Sequence, residues 1–156
     1  MIADLPEDAL LQRYREQGAY TDCFAIDVPE QVAHAAYVEA FYTTAVFKLE
    51  RLLLALFVAR PSRDVEAREL ARGQRQHFSA WSVEGRAPDQ LLMCDVAGST
   101  RSWLMAAPAG QGTRLYFGSA VVHSRQGGLF RALLGFHQLY SRILLRAAAS
   151  RVRRAG

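Results

Sequence analysis

The sequence predicts an α+β domain in which an antiparallel β-sheet packs on one long C-terminal helix, with a helix pair after the first strand. Three patterns predict it. From Gly127 to Arg154, Phe130, Leu133, His137, Tyr140, Leu144 and Ala147 recur at spacings of three and four, while Arg131, Gln138, Arg142 and Arg146 recur on the opposite side. From Phe78 to His123, short apolar runs alternate between Gly- and Pro-containing turns, the signature of an antiparallel meander. Between an early strand and that meander lies a stretch with helical periodicity.

Taken in order, Pro6 to Gln17 reads as a short helix with Leu10, Leu11 and Tyr14 on its buried side, and Gly18 stands where a helix-ending glycine belongs. Tyr20 to Val28 reads as the first strand. Pro29 and Glu30 suit the first turn of the next helix, which begins around Asp27. Val32, Ala36, Val38 and Phe41 open an apolar face that Val46, Leu49, Leu53, Leu56 and Phe57 continue. Thr43-Thr44 marks a break, because threonine favours caps over helix interiors, and Pro61 ends the segment. Asp64 to Arg72 fits a third short helix with Ser62 before it and Gly73 after it. Four strands follow, about Phe78–Val83, Gln90–Val96, Arg101–Ala107 and Thr113–His123, which brings the expected sheet to five strands.

Composition bounds the function. The 156 residues are 51% hydrophobic and 22% charged, which fits one globular domain rather than a disordered chain. We divide residues 1–156 into an N-terminal helix (1–18), a core (20–150) and a basic tail (151–156). Cys23 and Cys94 are too few for a disulfide framework. Both sit in apolar runs and are expected as reduced thiols, with a Cys23–Cys94 bridge left open. Residues 1–8 show no secretory pattern, and the longest apolar run, Leu52–Ala59, is far short of the roughly 20 residues that span a bilayer. A soluble cytoplasmic protein is the expectation. Arg142, Arg146, Arg151, Arg153 and Arg154 concentrate charge near the C-terminus. They complement the helix dipole, and the alternative of an anionic partner stays open. No basic stripe with interleaved aromatics points to nucleic acid.

No nucleotide-binding, metalloprotease or nucleophile-elbow motif is present, no cofactor is implied, and the four histidines have no metal-ligand spacing. His34 is expected on a solvated helix face. A hairpin centred on Gly98 would set Asp95 opposite Arg101, Met93 opposite Trp103 and Leu91 opposite Met105, with Leu115, Phe117 and Ser119 continuing that face. The C-terminal helix would cover the resulting band. Asp95, Arg101 and Ser119 would meet at its end, either as an ion pair closing the sheet or as the polar mouth of an apolar cavity. His137 and Tyr140 lie on the buried stripe of the helix. His137 is either a core histidine bonded within the fold or a ligand contact or general base oriented by Asp95. The expected ligand-binding set is Asp95, Arg101, Trp103, Phe117, Ser119, His137 and Tyr140. A small apolar or amphipathic ligand is the first reading. A hydrolase- or cyclase-type enzyme, or a homodimer or other interaction module using the Phe41–Phe57 helices, are the alternatives.

The element order resembles the helix-grip architecture of the START and Bet v 1-like (SRPBCC) superfamily. Arg75-Gln76-His77-Phe78 and Leu134-Gly135-Phe136-His137-Gln138-Leu139-Tyr140 look like an uncharacterised bacterial family of that kind. The resemblance spans roughly residues 20 to 150. It implies a curved sheet wrapped on the C-terminal helix with a cavity between them, in a superfamily whose members bind lipids, steroids or aromatic compounds and include cyclases and hydrolases.

Overall fold

Six strands form a single antiparallel sheet in the order β1-β6-β5-β4-β3-β2. They are β1 (Tyr20–Val28), β2 (His77–Phe78), β3 (Trp81–Ala87), β4 (Gln90–Asp95), β5 (Thr100–Ala109) and β6 (Gly112–Val121). The helices bounded within the described residues are α1 (Gln12–Glu16), α2 (His34–Tyr42), α3 (Asp64–Ala71) and α4 (Gly128–Arg153). The computed structural model describes residues 1–48, 62–122 and 128–154, with side chains described from residue 139 onward in α4. The arrangement is α+β and helix-grip-like, with the last helix packed on β1 and β6 and against α2. Leu49 to Phe57 and His123, which figured in the sequence reading, lie outside the described residues.

The break at Thr43-Thr44 has a clear cause. Thr43 and Thr44 both turn their hydroxyls onto carbonyls of the preceding turn, at 2.7 Å on Glu39 and 2.9 Å on Phe41, and Thr44 Oγ1 also accepts from Phe47 N at 3.2 Å. One threonine thus helps close α2 while the other caps the helical residues 45–48. The helix expected from Asp27 begins only at His34, because Asp27 and Val28 stay in β1, paired with Arg114 and Thr113. Thr113 then holds the linker, accepting from Val32 N and donating to Glu30 O. The N-terminal helix is also shorter than expected. Its pattern is right, since Leu11 and Tyr14 are buried, but only Gln12–Glu16 is helical.

The sheet has six strands rather than five, because the run around Phe78 folds back on itself. Phe78 pairs with Trp81 across a two-residue turn at Ser79-Ala80, where Ser79 has a φ of 54°.

Registers overturn part of the expected face pattern. Between β4 and β5, Leu92 faces Trp103 and Cys94 faces Arg101, one residue from the expected pairing. Between β5 and β6, Trp103 faces Gly118 and Leu104 faces Phe117, again one residue off. Both hairpin axes fall between two residues instead of on a glycine. The second turn is the two-residue Gly110-Gln111, with Gly110 at a φ of 60°. Each slip turns β5 over relative to a neighbour, so the two cancel for β4 and β6. Leu91, Met93, Leu115 and Phe117 do share the helix-facing side, and Leu104 and Ala106 join them there. Trp103 and Met105 point the other way.

That other face has its own cover. Leu5, Ala9, Leu11 and Tyr14 pack on Cys23, Leu92, Trp103, Met105 and Ala120. Gln90, 4% exposed, ties the segment down by accepting from Leu10 N at 2.8 Å and Trp103 Nε1 at 2.9 Å while donating to Asp8 O at 3.0 Å. The larger core lies on the helix side, where Phe41 meets Phe117 at 5.0 Å between ring centres, and Tyr42 meets Phe78 at 5.2 Å. From α4, Leu144, Leu145, Ala148 and Ala149 enter this core, while Arg142 and Arg146 stay exposed as the periodicity predicts.

Candidate functional site

The rows that cross the helix-facing side of the sheet change character from one end to the other. One transverse row is Phe24, Phe117, Leu104 and Leu91, paired strand to strand and entirely apolar. The adjacent row is Asp22, Ser119, Ser102 and Met93, continuing to Val83. Three polar side chains therefore stand side by side on a surface that is otherwise a hydrophobic core. Ser119 is 1% exposed and Ser102 8%. Burying such groups is costly unless they are bonded. Ser119 donates its hydroxyl to Asp22 Oδ1 at 2.6 Å, and its backbone N–H reaches the same oxygen at 3.1 Å. Tyr140, partly buried, packs into the same core from α4.

The expected site residues divide between the two faces. Phe117, Ser119 and Tyr140 belong to the helix-facing side. Asp95 shares that side by alternation, but it lies beyond Met93 at the end of β4, and its Oδ1 accepts from Ser99 N at 2.8 Å to close the β4–β5 turn. Trp103 is fully buried under the N-terminal segment. Arg101 is on that second face too. Its Nε donates to Glu84 Oε2 at 2.9 Å and to Tyr14 OH at 3.0 Å, and its guanidinium lies 4.8 Å from the Tyr14 ring centre. Asp95, Arg101 and Ser119 thus do not form a common mouth. The one-residue register slip sends Arg101 through the sheet, and Asp95 is spent on a turn. The backbone of His137 lies within α4, and its pairing with Asp95 concerns a side chain outside the described residues.

Asp22 is the residue the sequence reading missed. A signal existed: Asp22, Phe24 and Ile26 alternate along β1 and must share one face. A carboxylate in phase with two core residues is the mark of a polar position inside an apolar layer.

The Arg101 cluster is a structural clamp for α1. Glu84 also accepts from Arg13 and from Tyr14 OH. Burial works to raise the Glu84 carboxyl, but the Tyr14 hydrogen bond and the two guanidinium groups outweigh it and hold it below the ordinary carboxylate range. Burial raises the Tyr14 hydroxyl, helped by its bond to Glu84.

The thiols are ill suited to nucleophilic chemistry. Burial pushes Cys23 up to about 12, with Asp22 and Asp4 adding to it, and burial also raises Cys94. Both are free. They stand on β1 and β4, three strand spacings apart, roughly 14 Å, so the bridge left open by the sequence cannot form.

His34 departs from its expected solvated position. It is half-buried, its Nε2 lies 3.4 Å from Leu104 O, and burial lowers its pKa. No helix among the described residues is long and apolar enough to cross a membrane. Among those residues, no three His, Cys, Asp or Glu side chains converge as a metal site would require.

No protein-family model and no curated protein matches the chain. Among solved structures, the fold aligns with the crystal structure of CalU16 from Micromonospora echinospora over 87% of this chain and 85% of that one, at 14% identity and a TM-score of 0.37.

Proposed function

We propose that the protein binds a small amphipathic molecule between the sheet and its C-terminal helix, with the polar part of the ligand at the Asp22–Ser119–Ser102 row. The observation that carries this reading is the row itself, three adjacent polar side chains set into an apolar layer. Ligand sites commonly combine an apolar wall with a few placed polar groups, and Phe117, Met93 and Tyr140 supply such a wall beside this row. The Asp22 carboxylate and the two serine hydroxyls would suit a ligand with hydroxyl or amide donors. Phe117, Ser119, Tyr140 and His137 remain in the proposed set. Asp22 and Ser102 join it, while Arg101 and Trp103 serve the opposite face.

The test is thermal denaturation against a panel of fatty acids, steroids and flavonoids, with tryptophan fluorescence as a second readout. A saturable rise in Tm is expected with at least one class. Asp22→Asn should weaken binding of that ligand by about tenfold or more, the value of one hydrogen bond to a charged group. If no compound shifts Tm or fluorescence, the binding reading is wrong. If binding occurs but is indifferent to both Asp22→Asn and Ser102→Ala, its placement at this row is wrong.

A further inference from the structure

We infer that the outward face of α4 is a docking surface for an anionic lipid bilayer, bound peripherally and reversibly. This rests on charge placement and exposed surface, independently of any ligand between sheet and helix.

All fifteen carboxylates of the chain lie at or before Asp95, and the stretch from Val96 to Gly156 holds nine arginines and no acidic residue. Two of the nine are neutralised locally, Arg101 by Glu84 and Arg114 by Asp27. Five more, Arg142, Arg146, Arg151, Arg153 and Arg154, are exposed on α4 and the residue after it. Among the described residues none of these five is bridged to a carboxylate. Arg153 reaches the backbone carbonyl of Asp27 at 3.4 Å, Arg154 that of Ser150 at 3.3 Å, and Arg142 lies 5.6 Å from the Phe24 ring centre.

Apolar side chains share this face. Leu139, Arg142, Ile143, Arg146, Ser150 and Arg153 follow the three-and-four spacing of one helical side. Leu139 is 57% exposed and Ile143 44%. Across a groove of about 330 Å³ between Arg142–Arg146 and β1 stand Met1 and Ile2, the latter 69% exposed. Two of the six large hydrophobic side chains exposed among the described residues thus share a helix side with Arg142 and Arg146, and two more, Met1 and Ile2, stand across the groove from those arginines. Water-exposed aliphatics interleaved with cations are the chemistry of an interfacial helix, whose apolar residues enter the headgroup boundary while the basic ones meet anionic lipid.

Charge complementarity selects among occupants. A second copy docking face to face would set arginines on arginines. Among the described residues of this face, nucleic acid would meet no exposed aromatic side chain on which to stack a base. An anionic bilayer satisfies both halves of the patch.

Co-sedimentation of the full chain with vesicles of phosphatidylcholine, with and without phosphatidylserine, tests the inference. Binding is expected only with phosphatidylserine, and raised salt should weaken it. Arg142→Gln with Arg146→Gln should reduce the partition coefficient by about 25-fold, each arginine near the surface being worth about fivefold. Leu139→Ser with Ile143→Ser should reduce it as well, and Val65→Ser, on an exposed position of α3, should leave it unchanged. All these positions are exposed, and circular dichroism verifies that each variant folds. Absence of binding, or equal binding to vesicles lacking phosphatidylserine, overturns the inference. So does loss of binding with the arginine pair but not with the aliphatic pair, which leaves only a generic polyanion site. A dimer in light scattering that dissociates on Leu139→Ser assigns the face to a second copy instead.

Discussion

Gly118 shows how little room single positions leave in the layer between sheet and N-terminal segment. A Cβ there would stand 2.9 Å from Leu11 Cδ2, 3.0 Å from Trp103 Cε3 and 3.0 Å from the Asp22 carbonyl oxygen. The backbone is ordinary at this residue, so the constraint is space and not φ. Gly118→Ala should destabilise the fold by about 1–3 kcal/mol, read from urea denaturation, because neither the indole nor a strand carbonyl can retreat cheaply. An unchanged midpoint would mean that Leu11 gives way. His34 offers a second residue-scale prediction. Burial favours its neutral form and lowers its pKa, with Arg86 acting in the same sense and Leu104 O and Asp89 opposing. The unfolded chain takes up the proton near the ordinary histidine pKa of about 6.5 and the folded protein only below it. The contribution of His34 is therefore fully present above that pH and is lost as pH falls below it. His34→Gln should flatten the fall in stability between about pH 7 and pH 5, and parallel curves for both proteins would assign the pH dependence elsewhere.

Among the elements, the N-terminal segment matters more than its five-residue helix suggests. It covers the sheet face that α4 does not, through Leu5, Ala9, Leu11 and Tyr14. An isolated helix this short has no stability of its own, so the sheet must supply it. The Gln90 bonds and the Arg101–Glu84–Tyr14 cluster fasten it from two sides. Leu11→Ala, at a fully buried position, should cost about 2–5 kcal/mol in denaturant unfolding. A cost near zero would show that the segment detaches without consequence for the sheet. Leu10, Leu11 and Tyr14 could be picked out from spacing alone, but what they cover could not.

For the whole molecule, the sheet works as a two-sided divider. Its helix side holds the aromatic cluster around Phe41, Phe78 and Phe117, together with the polar Asp22–Ser119–Ser102 row. Its other side is closed by the first turns of the chain. Charge is divided as well, with carboxylates confined to the first part of the sequence and the last helix cationic. Small-molecule binding and bilayer docking would therefore use different sides of α4, its inner face and its outer one.

The sequence by itself determined the α+β class, the order of the elements apart from the added strand β2, the break at Thr43-Thr44 and the outward placement of Arg142 and Arg146, while the buried side of α4 takes Leu144 from the expected stripe but Leu145, Ala148 and Ala149 in place of Ala147. These depend on local chemistry: period, capping hydroxyls, and glycine at turns. It also determined that Leu91, Met93, Leu115 and Phe117 share a face, since two one-residue slips leave that set unchanged. Tertiary structure alone decided where β5 points. A side-chain period of two makes face assignment depend on whether a hairpin axis falls on a residue or between two, and composition does not encode that choice. Trp103 and Arg101 went to the opposite side for that reason, and only the pairing of β1, β6 and β5 brings Asp22 and Ser102 beside Ser119.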